Sequence, residues 1–235
     1  MPSSREGKKG QDQAADEKHE VRGNVRSGIV AAILLLSLGG NAEARHHRSM
    51  AAPDGPCPLE GDAKNPTIAT LNTLKNRTVA PSDGDIDSSI TLAAISAPGN
   101  DADRFKPMQA ATISGYVANV IVGGIETANC HARDPAHRDT HIELVVDPKD
   151  ANDETKHVIV EVTPRIRDAM ATKGEDWGTA ALRRNILGRR MTFTGWMLFD
   201  AEHADAAVNT SPGAQKIWRA TVWEIHPVTA MASAP

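Results

Sequence analysis

The chain is 235 residues long, enough for one or two domains, and carries 26 Lys and Arg against 30 Asp and Glu, a net charge of −4. That balance argues against a protein whose main task is holding nucleic acid, because such binding rests on neutralising phosphates. Three Phe, one Tyr and four Trp also make a poor platform for stacking bases.

Residues 1–27 are polar and of mixed charge, without apolar periodicity. Arg22 and Arg26 then lead into an apolar run from Ile29 to Leu38, which Gly39 and Gly40 break before Ala42-Glu43-Ala44. A basic region, an apolar stretch of about ten residues and a small-x-small site describe a secretory leader, residues 1–44, cleaved after Ala44. A membrane span needs roughly 20 apolar residues, so no stable span is expected after cleavage. The expected location is periplasmic or secreted, in a bacterium. Both cysteines, Cys57 and Cys130, fall in the exported part. An oxidising compartment allows a disulfide between them.

Residues 45–109 read as an arm or extension. Pro53, Gly55, Pro56, Pro58, Gly61 and Pro66 keep its first part irregular. Ile68, Leu71 and Leu74 recur at three-residue steps and suit a short helix over Thr67 to Lys75. Ser88 to Ile95 fits either a short helix or a strand. From residue 110 to 230 the pattern changes. Ala111 to Val122 is rich in β-formers, with Gly115 where a bent strand wants it. His141 to Asp147 alternates, placing Ile142, Leu144 and Val146 on one face and His141, Glu143 and Val145 on the other. His157 to Thr163 alternates too, with Val158, Val160 and Val162 inward. Arg165 to Leu187 reads as helical, with a start signal at Trp177-Gly178-Thr179 and a stop at Gly188. Arg189 to Asp200 is the fourth strand and Trp218 to Ile225 the fifth. The tail beyond Ala230 is expected to fray. The order β-β-β-α-β-β predicts a mainly β fold, a five-stranded barrel of the OB type.

Asp139-Thr-His-Ile-Glu-Leu144, Val158 to Pro164, Thr194-Gly-Trp196 and Glu224-Ile-His-Pro-Val228 resemble a set of small, mostly uncharacterised exported bacterial proteins with an OB-like fold. The resemblance covers about residues 110–230 and implies the fold, with no mechanism attached. The topology is also similar to that of staphylococcal-type nucleases. Those enzymes need an acidic metal ligand on the first strand, and Ala111 to Val122 has no carboxylate.

OB barrels bind ligands on the face framed by the loops after strands one and four. The first loop, Gly123 to Thr140, offers Cys130, His131 and His137, with His141 just beyond. Imidazole and thiolate suit zinc or copper, so these four are a candidate metal set. The ordinary alternative is a polar loop with a disulfide-bonded cysteine and solvated histidines. The second loop, Ala201 to Ile217, carries His203. His141 begins one strand and His226 ends another, with Pro227 directly after it as a strand terminator, so both could share one rim, backed by Asp139, Glu143 and Glu224. An imidazole beside a carboxylate can act as a general base; more commonly each pins a strand end. Glu143 and Glu161 read as outward, solvated residues or, less ordinarily, a facing acid–base pair. The candidate binding residues are therefore His141, Glu143, Glu161, His203, Glu224 and His226.

The favoured function is a non-catalytic exported binding module for a small ligand, oligosaccharide or protein partner, with no cofactor. The alternatives are a metal-dependent hydrolase on the first loop and a structural accessory domain of the envelope. Nucleic acid is not an expected partner. The sequence leaves the native ligand and the oligomeric state open.

Overall fold

The computed structural model describes residues 56–234; the expected leader and the start of the arm lie outside them. The fold is mainly β. Its strands are β1 (Ala110–Val122), β2 (Thr140–Val145), β3 (Val158–Val162), β4 (Arg190–Phe199) and β5 (Trp223–Ser233). They close into one barrel in the order β1-β2-β3-β5-β4, and β4 returns to β1. β3 and β5 pair in parallel and the other neighbours antiparallel. This is the OB arrangement expected from the sequence.

Closure depends on β1 serving two neighbours. Its first half pairs with β4 and its second half with β2, and the register shifts between Val117 and Asn119. A bulge of this kind bends a strand and increases its twist. The interior is filled by alternate side chains, including Ile113, Val117, Ile142, Leu144, Val158, Val160, Val162, Phe193, Trp223 and Ile225. Burying one such aliphatic side chain contributes about 1.5–3 kcal/mol.

Between β3 and β4 the expected single helical stretch divides into α3 (Pro164–Ala171) and α4 (Thr179–Ile186). Pro164 stands at the start of α3, and the Thr163 hydroxyl accepts from the Ile166 N–H as its N-cap. Gly174, with φ +81°, adopts the left-handed conformation that glycine takes at helix ends, so the first helix stops there. Ile166, Met170, Trp177, Leu182 and Ile186 turn toward the barrel core. In the extension, the short helix forms over Pro66–Lys75 (here α1), and the ambiguous segment becomes a helix over Leu92–Ser96 (here α2). No described helix is long and apolar enough to cross a membrane.

Three expectations need correction. β5 begins at Trp223 rather than Trp218 and runs through Pro227 to Ser233, so Pro227 does not terminate the strand and the tail pairs as far as Ser233; Met191, Thr192 and Phe193 pair with Ser233, Ala232 and Met231. Proline lacks an N–H and is tolerated where pairing is irregular, and the β4–β5 register shifts on both sides of Gly195 at that level. A Cβ at Gly195 would stand 2.2 Å from the Pro227 carbonyl oxygen, so the close approach requires glycine. Second, Val146 is 44% exposed and leaves the inward face to Ile142 and Leu144. Third, Glu143 and Glu161 are buried, at 8% and 2% exposure, although their strand positions face away from the barrel core.

Candidate functional site

That third departure locates the site. The outer sides of β2, β3 and β5 present His141 and Glu143, then Glu161, then Glu224 and His226. His141 and Glu161 are direct cross-strand partners, and Val160 pairs with Ile225 between the two β5 residues. Residues opposite one another on neighbouring strands are held within contact distance. The register therefore gathers three carboxylates and two imidazoles into one patch.

The patch is covered by the chain itself. Trp218, in the β4–β5 loop, stacks on the His141 ring with centroids 6.3 Å apart. That loop is tied to the extension by Asp101, which is fully buried. The Asp101 carboxylate accepts from the Thr221 hydroxyl, the Val222 N–H and the Asn209 amide at 2.8–2.9 Å. From the arm, α1 ends at Lys75, whose side chain is 1% exposed and whose ammonium lies 3.0 Å from Glu126, 3.4 Å from Glu202 and 3.6 Å from Asp200. Arg77 donates to the Met197 and His226 carbonyls and stacks over Trp196. The Cys57–Cys130 disulfide closes the arm onto the β1–β2 loop.

Inside this cover, the Glu161 carboxylate bridges the two imidazoles. One oxygen is 2.8 Å from His141 Nε2 and the other 3.7 Å from His226 Nδ1. His226 Nδ1 is 3.0 Å from Glu224, and Glu224 also accepts from Arg219 at 2.7 Å. Arg219 lies 3.5 Å from Asp200, and His203 Nδ1 lies 2.5 Å from the same carboxylate. Asp139 completes the group, accepting from the Asn129 amide and standing 4.0 Å from His226 Nε2. At a separate point on the same face, His157 Nδ1 lies 2.9 Å from Glu143.

The charges act on one another strongly. Burial is the largest single influence and disfavours the His141 and His226 imidazoliums, but the surrounding carboxylates together outweigh it, Glu161 foremost, with Glu224 and Glu126 at His141 and Glu224 and Asp139 at His226, and lift each pKa to about 9. Burial, then Glu161, raises Asp139 to about 6. Burial also opposes ionisation of Asp200, yet His203, Lys75 and Arg219 hold its carboxyl well below the usual range. Glu224 is lowered too, because Arg219 and His226 overcome burial and the nearby Asp200.

The residues proposed from sequence divide into two groups. His141, Glu161, Glu224 and His226 come together; Glu143 joins the same face through His157, and His203 meets the cluster through Asp200. The first-loop metal set does not assemble. Cys130 is consumed in the disulfide and offers no thiolate, His131 pairs with Asp62 near the surface at 2.7 Å, and His137 is exposed. Lys75, Glu126, Asp200 and Arg219 escaped the sequence reading altogether. An open cavity of about 360 Å³ between Ser96, Val146, Lys156 and Val208 borders none of the clustered side chains. No family model matches the chain, and no curated protein matches it either.

Proposed function

We propose that this chain is an exported, non-catalytic OB-barrel binding module whose ligand is a small cation held within the covered polar layer. One observation carries this reading: the face on which OB barrels receive their ligands is filled by the chain's own arm and β4–β5 loop. What lies beneath the cover is an internal set of carboxylates and imidazoles (Asp139, His141, Glu161, Glu224 and His226), too enclosed for an oligosaccharide or peptide. Catalysis on an external substrate lacks support for the same reason, since Asp139, Glu161 and His226 are at most 3% exposed. Export is supported by the leader pattern ending at Ala44 and by the disulfide, a bond that persists in oxidising compartments.

The test is a thermal-unfolding panel of the disulfide-bonded protein against alkali, alkaline-earth and transition cations, oligosaccharides and oligonucleotides. A ligand that binds only the folded state raises stability. Saturable stabilisation by a cation and none by the polymers is expected. Saturable binding of a polymer, with no response to any cation, overturns the reading. N-terminal sequencing of protein recovered from the envelope should begin at Arg45; an intact leader contradicts export by cleavage.

A further inference from the structure

We propose that Asp139, Glu161 and His226 form a binding site for one divalent first-row transition ion, with zinc as its representative. The inference rests on the small-cation reading above and names the ion class and its ligands.

Each of the three residues offers one ligand atom, and these atoms all lie within 4.8 Å of one another. The residues are 3%, 2% and 0% exposed. Asp139 Oδ1, Glu161 Oε2 and His226 Nε2 are buried without a hydrogen-bond partner, a costly condition for polar atoms in a protein interior. Their other atoms are engaged. Asn129 donates to Asp139 Oδ2, which also stands 4.0 Å from His226 Nε2, His141 contacts Glu161 Oε1, and Glu224 faces His226 Nδ1, with Glu161 Oε2 3.7 Å from that same nitrogen. A carboxylate on one imidazole nitrogen fixes the ring so that the opposite nitrogen presents its lone pair to a metal.

The charge count agrees. Lys75 and Arg219 face Glu126, Glu202, Asp200 and Glu224. Among the described residues no Lys or Arg makes an ion pair with Asp139 or Glu161, whose charged contacts are imidazoles. These carboxylates therefore face no permanent cation, and a dication bound there would take the place of the proton that His226 gives up on becoming a ligand. One imidazole with two carboxylates suits zinc and its neighbours. Calcium and magnesium prefer six or more oxygens, and the disulfide removes both thiolates. Zinc–ligand bonds of about 2.0–2.2 Å require side-chain movements of about 1 Å from the present separations.

The experiment uses the untagged, disulfide-bonded protein, stripped with chelator and dialysed against Zn²⁺ or Co²⁺. Bound metal is read by elemental analysis, and the wild-type zinc complex by X-ray absorption. One ion per chain and a nitrogen/oxygen shell containing a single imidazole are expected. Asp139→Asn, Glu161→Gln and His226→Ala, each checked for folding by circular dichroism, should bind at least about 100-fold more weakly. His46 and His47 are present in every protein compared, so the differences read the internal site alone. Equal binding by the folded variants overturns the proposal, as does a shell with two or more imidazoles or with sulfur, a result that needs no variant to fold. A folded wild type that ignores zinc and cobalt but is stabilised by an alkali or alkaline-earth ion overturns it while leaving the small-cation reading in place. Indifference to every cation removes both.

Discussion

Replacing Lys75 with methionine keeps the length of the side chain and deletes its charge. The ammonium lies 3.0, 3.4 and 3.6 Å from three carboxylates. At an effective dielectric near 20, each such contact is worth about 5 kcal/mol before other costs. Several kcal/mol of that only offsets the dehydration of the ammonium itself, which the variant no longer bears. Further relief comes from Glu202, which is a third exposed and can turn to water, and from Asp200, which keeps Arg219 and His203. The remaining loss falls in the range measured when one partner of a buried ion pair is removed, and we expect about 3 kcal/mol. For a protein of this size that lowers the melting temperature by about 10 °C. Glu126, whose carboxyl Lys75 holds below its ordinary value against the effect of burial, should titrate higher in the variant. Calorimetry under non-reducing conditions, with carbonyl chemical shifts for Glu126, measures both. A loss under about 1 kcal/mol with an unmoved Glu126 would refute the claim that Lys75 is a dehydrated internal counter-ion.

Replacing both cysteines with serine opens a link spanning 73 residues; loop-closure entropy then puts the loss at about 4 kcal/mol by denaturant titration. Gly195→Ala drives a methyl group against the Pro227 carbonyl at 2.2 Å and the Ile225 side chain at 2.6 Å. It should cost about 3 kcal/mol or prevent folding, and an unchanged melting curve contradicts the close approach. His157 is raised above 6.5: burial is the largest influence and lowers it, but the close ion pair with Glu143, the Ala151 carbonyl and the charge of Glu154 together outweigh burial. A raised folded pKa gives stability that is complete below the unfolded value and lost as pH climbs through the folded one. Wild type should therefore lose stability from about pH 6 upward relative to His157→Gln, and parallel pH profiles of the two proteins would rule this out.

The barrel was legible because its interior is written in apolar residues at every second position. Val158, Val160 and Val162 place themselves, as do Ile142 and Leu144. The fifth strand was misplaced because Pro227 signals a stop on local grounds. What admits it is the irregular pairing beside Gly195 on another strand, a non-local fact. The site was legible only in outline. Alternation correctly sent His141, Glu143 and Glu161 away from the core, but facing outward was equated with facing water. The cover comes from distant residues: Lys75 and Asp101 in the extension, Trp218 in the β4–β5 loop. A lysine at a helix end reads as solvated wherever sequence is the only guide. The usable clue was cross-strand. Carboxylates and imidazoles at the same register on neighbouring strands form a ladder that an ordinary solvated face has no need to build.

That ladder explains why the arm is fastened so heavily. A barrel face carrying Glu161, Glu224 and Asp139 has poor options when bare, since like charges this close repel unless water or cations separate them. The extension brings Lys75 to the adjoining carboxylates Glu126, Glu202 and Asp200, and the loop brings Arg219 to Glu224 and Asp200, so each covering segment delivers a cation along with its apolar surface. Displacing the cover would strip both cations from the patch at once, and the disulfide, Asp101 and Arg77 all oppose that displacement. A large ligand would have to win this whole set of interactions back from a single binding event. A proton or a metal ion needs only the small movements of side chains already facing one another. The fastening is therefore the reason for proposing a small cation here in place of the polymers that OB barrels more often bind.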